Sequence, residues 1–186
     1  MFSFKSTKLE GLYIVYPDPY EDQRGKFYRV YCENEFKKLN HTKTIVNVNF
    51  STNIKKGTIR GMHFQYPPHS EIKIVKCVKG SIFDVAIDLR RNSPTFLKWH
   101  GELLTDNNMK MLYIPEGFAH GFQTIESDTK VLYFVTEFYN PKSEGGIHYD
   151  DKEVNINWPL EITKISEKDK NLPFYGENFV PIDIEN

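Results

Sequence analysis

The sequence predicts an all-β fold, a barrel or jelly roll, on three observations. Half-polar alternation recurs along the chain, turn signals break it at short intervals, and no long stretch carries a period of about 3.6 residues. Polar strand faces are accounted for when they line an enclosed cavity. A length of 186 residues suits one well-buried domain, taken as residues 1–186.

Each element has its own signal. Ile45 to Ser51 sets Asn47, Asn49 and Ser51 against Val46, Val48 and Phe50. Lys73 to Lys79 puts Lys73, Val75 and Cys77 on one face. Ile82 to Leu89 sets Asp84, Ala86 and Asp88 against Phe83, Val85, Ile87 and Leu89. Val131 to Tyr139 aligns Tyr133, Val135, Glu137 and Tyr139. Lys79-Gly80, Asn92-Ser-Pro94, Asp106-Asn-Asn108, Glu126-Ser-Asp128 and Asn140-Pro141 are turn signals between such stretches. Glu33 to Leu39 and Ser166 to Lys170 predict short helices, the second opened by the capping pattern Ser166-x-x-Asp169. The C-terminal tail is therefore expected to be short and partly helical.

Composition excludes several classes of function. A net charge of −1 with no basic run leaves no electrostatic footprint for nucleic acid. Cys32 and Cys77 make neither a disulfide framework nor a zinc signature. No apolar run reaches membrane-spanning length, and the first residues lack the apolar core of a secretory signal. A cytoplasmic protein with reduced thiols is expected, with neither a nucleic acid nor a membrane as partner.

The chemistry concentrates in three places. Gly57-Thr-Ile-Arg-Gly-Met-His-Phe-Gln65 carries Arg60 and His63, Lys73 follows, and Pro115-Glu-Gly-Phe-Ala-His120-Gly returns a second histidine. A base, a cation and an anion-binding arginine suit an anionic substrate that passes through an oxyanion. His63 is the candidate general base, and Asp169 a candidate partner to orient it. Lys73 either snorkels to solvent or faces the cavity as a fixed cation. Tyr133 and Tyr139 are either packing or, beside a base, a proton donor and a pocket wall. Arg24 and Arg60 each precede a glycine, an arrangement that lets backbone and guanidinium approach a pyrophosphate. Strict alternation places Arg60 and His63 on opposite faces, so a common site requires a bulge at Gly61 or Arg60 at the rim. Gly61 stands where a His-x-His pair would place its first ligand, and neither a metal nor any other cofactor is predicted.

Read in order, these segments resemble the dTDP-4-dehydrorhamnose 3,5-epimerase family of the cupin superfamily. The resemblance rests on Asp22-x-Arg24-Gly25-x-Phe27, Asn49-x-Ser51, Gly57 to Gln65, Asp84-Val-Ala-Ile-Asp88-Leu-Arg90 and Ser93-Pro-Thr-Phe96. Tyr113 to Phe122, Tyr133, Tyr139-x-Pro141, Ile156-x-Trp158-Pro159 and Ser166-Glu-Lys-Asp169 complete it, from about Leu9 to Pro173. It implies a cupin-type jelly-roll barrel that needs no metal, in a homodimer exchanging N-terminal strands. It also implies inversion of C3 and C5 in a 4-keto-6-deoxy nucleotide sugar. By the same resemblance His63 is the base, Asp169 its partner, Lys73 the enolate stabiliser and Tyr133 the acid on the other face. Arg24 and Arg60 match pyrophosphate ligands, Phe27 a residue near the nucleobase and His120 a pocket wall. Asn49 and Tyr139 join the substrate-binding set. Arg29 and Asn47 replace the glutamate and glutamine that the family usually has beside the base. A GDP- or CDP-linked substrate, inversion of C3 alone, and a non-catalytic sugar-nucleotide binder are the alternative readings.

Overall fold

The computed structural model describes residues 1–176 and 179–184. In chain order the first strands are β1 (Phe2–Ser6), β2 (Tyr13–Pro17), β3 (Tyr20–Asp22), β4 (Gly25–Phe27), β5 (Asn47–Asn53) and β6 (Ile59–Gln65). They continue as β7 (Lys73–Lys79), β8 (Ser81–Asp88), β9 (Trp99–Thr105), β10 (Met111–Ile114), β11 (Phe118–Thr124), β12 (Thr129–Val135) and β13 (Glu144–Gly146). Helix α1 (Glu33–Phe36) runs on into a 3-10 turn over Lys37–Leu39, and α2 (Glu167–Lys170) lies in the tail.

Two antiparallel sheets face one another. One has the order β1-β2-β10-β7-β12-β5, the other β13-β6-β11-β8-β9, and β3 with β4 forms a separate ribbon. This is the expected jelly-roll architecture, with sequence neighbours often lying in opposite sheets. Between the sheets the inward faces of β7, β8 and β12 bury Val75, Cys77, Ile82, Ala86 and Val131 against Leu104, Leu112, Phe118 and Phe122. Each large aliphatic or aromatic side chain so buried contributes about 1.5–3 kcal/mol. The inward stripe of β7 matches the alternation read from the sequence.

Both outer faces are covered as well. Phe36 of α1 packs with Phe2, Val15, Ile74, Met111 and Tyr113 on the back of the six-stranded sheet. The tail brings Val154 against Met62, Phe64, Val85, Ile87 and Leu89 on the back of the five-stranded sheet, with Trp158 and Phe179 packed on the same cluster. Lys76, on the outward stripe of β7, is buried, and its ammonium donates to Met109 O at 3.0 Å and sits over the Tyr28 ring. Such partners make a buried cation tolerable.

Two local features set up the functional site. Strand β12 ends at Val135, where the Thr136 hydroxyl accepts the Ile72 N–H at 2.9 Å. The expected run to Tyr139 is therefore too long, and Tyr139 leaves the face it was to share with Tyr133. The second feature is in β6. His120 pairs with His63 while Phe122 pairs with Arg60, so β6 carries one residue more than β11 across that interval. The extra residue is a bulge at Gly61, whose φ is +107°. It reverses the alternation and turns Arg60 and His63 toward the same cavity.

Gly61 also meets its neighbour closely, since a Cβ there would lie 2.6 Å from His120 O and 2.7 Å from Gly121 Cα. Gly61→Ala is expected to lower unfolding free energy by more than about 2 kcal/mol through backbone strain and this clash. Urea denaturation of the two proteins measures it, and an unchanged midpoint would show that the bulge tolerates a side chain.

Candidate active site

The helix α2 forms because Ser166 caps it, its side chain accepting the Asp169 N–H at 3.0 Å. The cap aims Asp169 at the bulged strand. Asp169 Oδ1 lies 2.7 Å from His63 Nε2, and Asp169 Oδ2 accepts the Gly61 N–H at 3.1 Å. Burial pushes this carboxyl up, but the His63 ring, the Gly61 amide and Ser166 outweigh it and hold it below the usual carboxylate range.

Lys73 opens β7 and is 8% exposed, so it faces inward and does not snorkel. Its ammonium lies 3.1 Å from Glu71 Oε1 and donates to His63 O at 3.4 Å. His120 on β11 pairs through Nε2 with Asp84 Oδ1 at 2.7 Å. Asp84 is fully buried, and burial raises its carboxyl against the opposing pull of His120 and Lys73. On β12 the Tyr133 hydroxyl is pushed up by burial and then by the Glu71 charge, with Arg60 opposing. Arg60 donates from Nε to Asn53 Oδ1 at 2.6 Å.

These groups line one cavity of about 590 Å³ between the sheets, with Arg60, His63, Lys73, His120, Tyr133 and Asp169 all in its wall. His63, Arg60 and His120 come from the five-stranded sheet, while Lys73 and Tyr133 come from the six-stranded one. An imidazole oriented by a carboxylate thus faces a phenol across the cavity, with an ammonium in the same wall. That arrangement can remove a proton from one side of a substrate and return one from the other.

Phe122 and Lys168 line the same cavity, and sequence reasoning gave neither of them a role. Lys168 lies beside Asp169 in the capped segment, the one signal that pointed to it. Asp84 was legible as part of the polar face of β8, though its pairing with His120 was not. Tyr139 is exposed and donates to Glu144 Oε2 at 2.9 Å, while Lys168 Nζ lies 2.5 Å from Glu144 Oε1.

Other substrate-binding candidates stand outside this cavity. Arg24 and Phe27 sit on the β3–β4 ribbon in a separate cleft of about 360 Å³. Arg24 is 83% exposed in its side chain and pairs with Asp22 at 2.6 Å. Arg29 is mostly exposed and lies 3.6 Å from the largely covered Glu35 carboxylate. Asn47 and Asn49 are not in the cavity wall but share the less exposed side of the edge strand β5 with Ser51, which is, and Asn49 is in register with Tyr133, while Val48 and Phe50 are turned out. Among the described residues no three His, Cys, Asp or Glu side chains converge in a metal-binding group.

Asp169 sets a pH dependence of stability. A carboxyl held below its ordinary value of 3.8 stabilises the fold fully above that pH, and the contribution is lost as pH falls through the folded-state value. Asp169→Asn is expected to cost about 2 kcal/mol near neutral pH, with the gap to wild type narrowing in acid below pH 3.8. Chemical denaturation at several pH values measures it, and a gap that stays constant into acid would contradict the charge-based account.

A jelly roll with an acid–base cavity between its sheets defines a cupin-type protein built for proton transfer. Residues 6–177 match the family model described as dTDP-4-dehydrorhamnose 3,5-epimerase, and the chain belongs to that family. It is 41% identical over 180 residues to the dTDP-4-dehydrorhamnose 3,5-epimerase of Methanothermobacter thermautotrophicus, covering 95% of this chain and 96% of the relative. Its structure is similar to that of the Legionella pneumophila dTDP-6-deoxy-D-glucose-3,5-epimerase in complex with dTDP-4-keto-L-rhamnose. The TM-score is 0.94 at 34% identity, covering 100% of both chains. The Bacillus anthracis dTDP-4-dehydrorhamnose 3,5-epimerase with TDP and PPi bound gives 0.91 at 37% identity, over 94% of this chain and 99% of that one.

Proposed function

We propose that this chain inverts C3 and C5 of a 4-keto-6-deoxy sugar carried on dTDP. The observation that carries the reading is that His63 and Tyr133 face one cavity from opposite sheets. His63, oriented by Asp169, takes the proton from the carbon beside the ketone. The electron pair of the broken C–H bond moves onto the carbonyl oxygen, and the resulting enolate lies against the Lys73 ammonium. Tyr133 then gives its proton to the same carbon from the other face. Return of a proton to Tyr133 and loss of one from His63 to solvent restore the site for the second centre. Arg60, at the cavity wall, is suited to the diphosphate.

The diphosphate and base end is, on this reading, completed by a second copy of the chain. Arg24, Tyr20 and Phe27 are exposed on a ribbon that joins neither main sheet, and a homodimer offers them a cavity to enter. We place the enzyme in the cytoplasm, where the free thiols of Cys32 and Cys77 stay reduced. The names of the relatives and their dTDP-sugar and TDP ligands support dTDP as the carrier.

Solvent-deuterium incorporation into dTDP-4-dehydro-6-deoxyglucose, followed by NMR, tests the chemistry. Wild type is expected to exchange at C3 and C5, and His63→Ala to abolish exchange at both because one base begins each inversion. Exchange at the wild-type rate in that variant would remove His63 from the mechanism. Tyr133→Phe is expected to keep exchange with retained configuration while net inversion falls at least about a hundredfold. Undiminished inversion would make Tyr133 a packing residue. Calorimetric affinities should rank dTDP above GDP, CDP and UDP, and a preference for another base would redirect the substrate assignment.

A further inference from the structure

A carboxylate that this mechanism does not use stands beside Lys73. Glu71 Oε1 is 3.1 Å from Lys73 Nζ, and the two side chains are only 14% and 10% exposed. Two residues apart on an extended segment, they leave the backbone on the same side. The segment itself is fixed. The Ile72 N–H donates to Thr136 Oγ1 at 2.9 Å and the Thr136 N–H donates to Ile72 O at 3.3 Å, joining residue 72 to the end of β12.

A lysine stem is flexible and carries its ammonium to water unless something holds it. Here the partners are the Glu71 carboxylate on one side and the His63 carbonyl, 3.4 Å away on the facing sheet, on the other. The carbonyl accepts a hydrogen bond but carries no net charge. Glu71 is the carboxylate in direct contact that both fixes the ammonium and offsets its charge before any substrate oxyanion arrives, with Asp84 acting on Lys73 through charge alone.

We propose that Glu71 is a positioning residue of the site, holding the Lys73 ammonium between the two sheets and keeping a carboxylate charge beside it. The proposal rests on the epimerase reading above and deepens it, because it explains how an inward lysine is kept aimed at the enolate position. Support comes from the environment of Tyr133. Burial raises the phenol first, the Glu71 charge adds to it, and Arg60 opposes. The other titratable groups at this cavity are His63, Lys73, His120, Lys168 and Asp169, with Asp84 behind His120. A phenol kept neutral is one that has a proton to give.

Two variants separate anchoring from charge. Glu71→Ala removes both, whereas Glu71→Gln keeps an oxygen that accepts from Lys73 and loses only the charge. Glu71→Ala is expected to lower kcat about tenfold or more, with KM changed less than about threefold, because enolate stabilisation acts in the transition state. Glu71→Gln is expected to recover most of kcat near neutral pH. In both variants the Tyr133 phenol should titrate at lower pH than in wild type, read by NMR of ring-labelled tyrosine. That titration needs no turnover. An inactive wild type with the Tyr133 shift intact would therefore defeat the epimerase reading while upholding Glu71 as the source of the local charge. Wild-type kcat in Glu71→Ala overturns the proposal, as does a Tyr133 titration unmoved in Glu71→Gln. Equal loss of kcat in both variants with an unmoved titration would mark a purely structural role and overturn it as well.

Discussion

The site depends on one buried carboxylate. Asp169 receives the Gly61 amide on one oxygen and meets the His63 ring on the other. A single side chain thus ties the C-terminal helix to the bulged strand and orients the imidazole. Burial alone would push this group toward its neutral form, and the hydrogen bonds it accepts reverse that tendency. Without the bulge there would be no free Gly61 amide at this point, and without the amide the carboxylate would be less well satisfied. Local backbone geometry and site electrostatics are therefore one construction.

The two sheets divide the chemistry. The five-stranded sheet carries His63 and His120, each paired with a carboxylate at 2.7 Å. The six-stranded sheet carries Lys73 and Tyr133 on neighbouring strands β7 and β12. A ring held between two such walls would present one face to each. Both sheets are packed on their outer faces, by α1 on one side and the tail on the other, so the inward stripes have little freedom to shift. The rigidity needed for oriented proton transfer is a consequence of covering both sheets twice.

Much of the fold was legible because strand alternation is a local property. β7 begins at Lys73 as read, α2 follows Ser166 as its capping pattern requires, and the short helix after Cys32 falls within Glu33 to Leu39. The end of β12 was not legible. It is set by Thr136 accepting the Ile72 amide, a contact between segments 64 residues apart. The inward turn of the polar stripe of β5 also runs against simple burial, since Val48 and Phe50 lie on the outer side of an edge strand.

By itself the sequence determined the all-β class, the inward stripe of β7 and the set of residue types able to move a proton. Through its resemblance it also pointed to the family. Those features are written in residue order, and short-range sterics act on them directly. Only the tertiary structure decided that Arg60 and His63 share a cavity, since the pairing of β6 with β11 places the extra residue at Gly61. It also decided that Asp84 serves His120, that Glu71 reaches Lys73, and that Arg24 and Phe27 lie on a ribbon apart from the cavity. Apart from Glu71 and Lys73, whose spacing of two already put them on one side, these are placements made by sheet pairing, and no spacing along the chain encodes the distances between them.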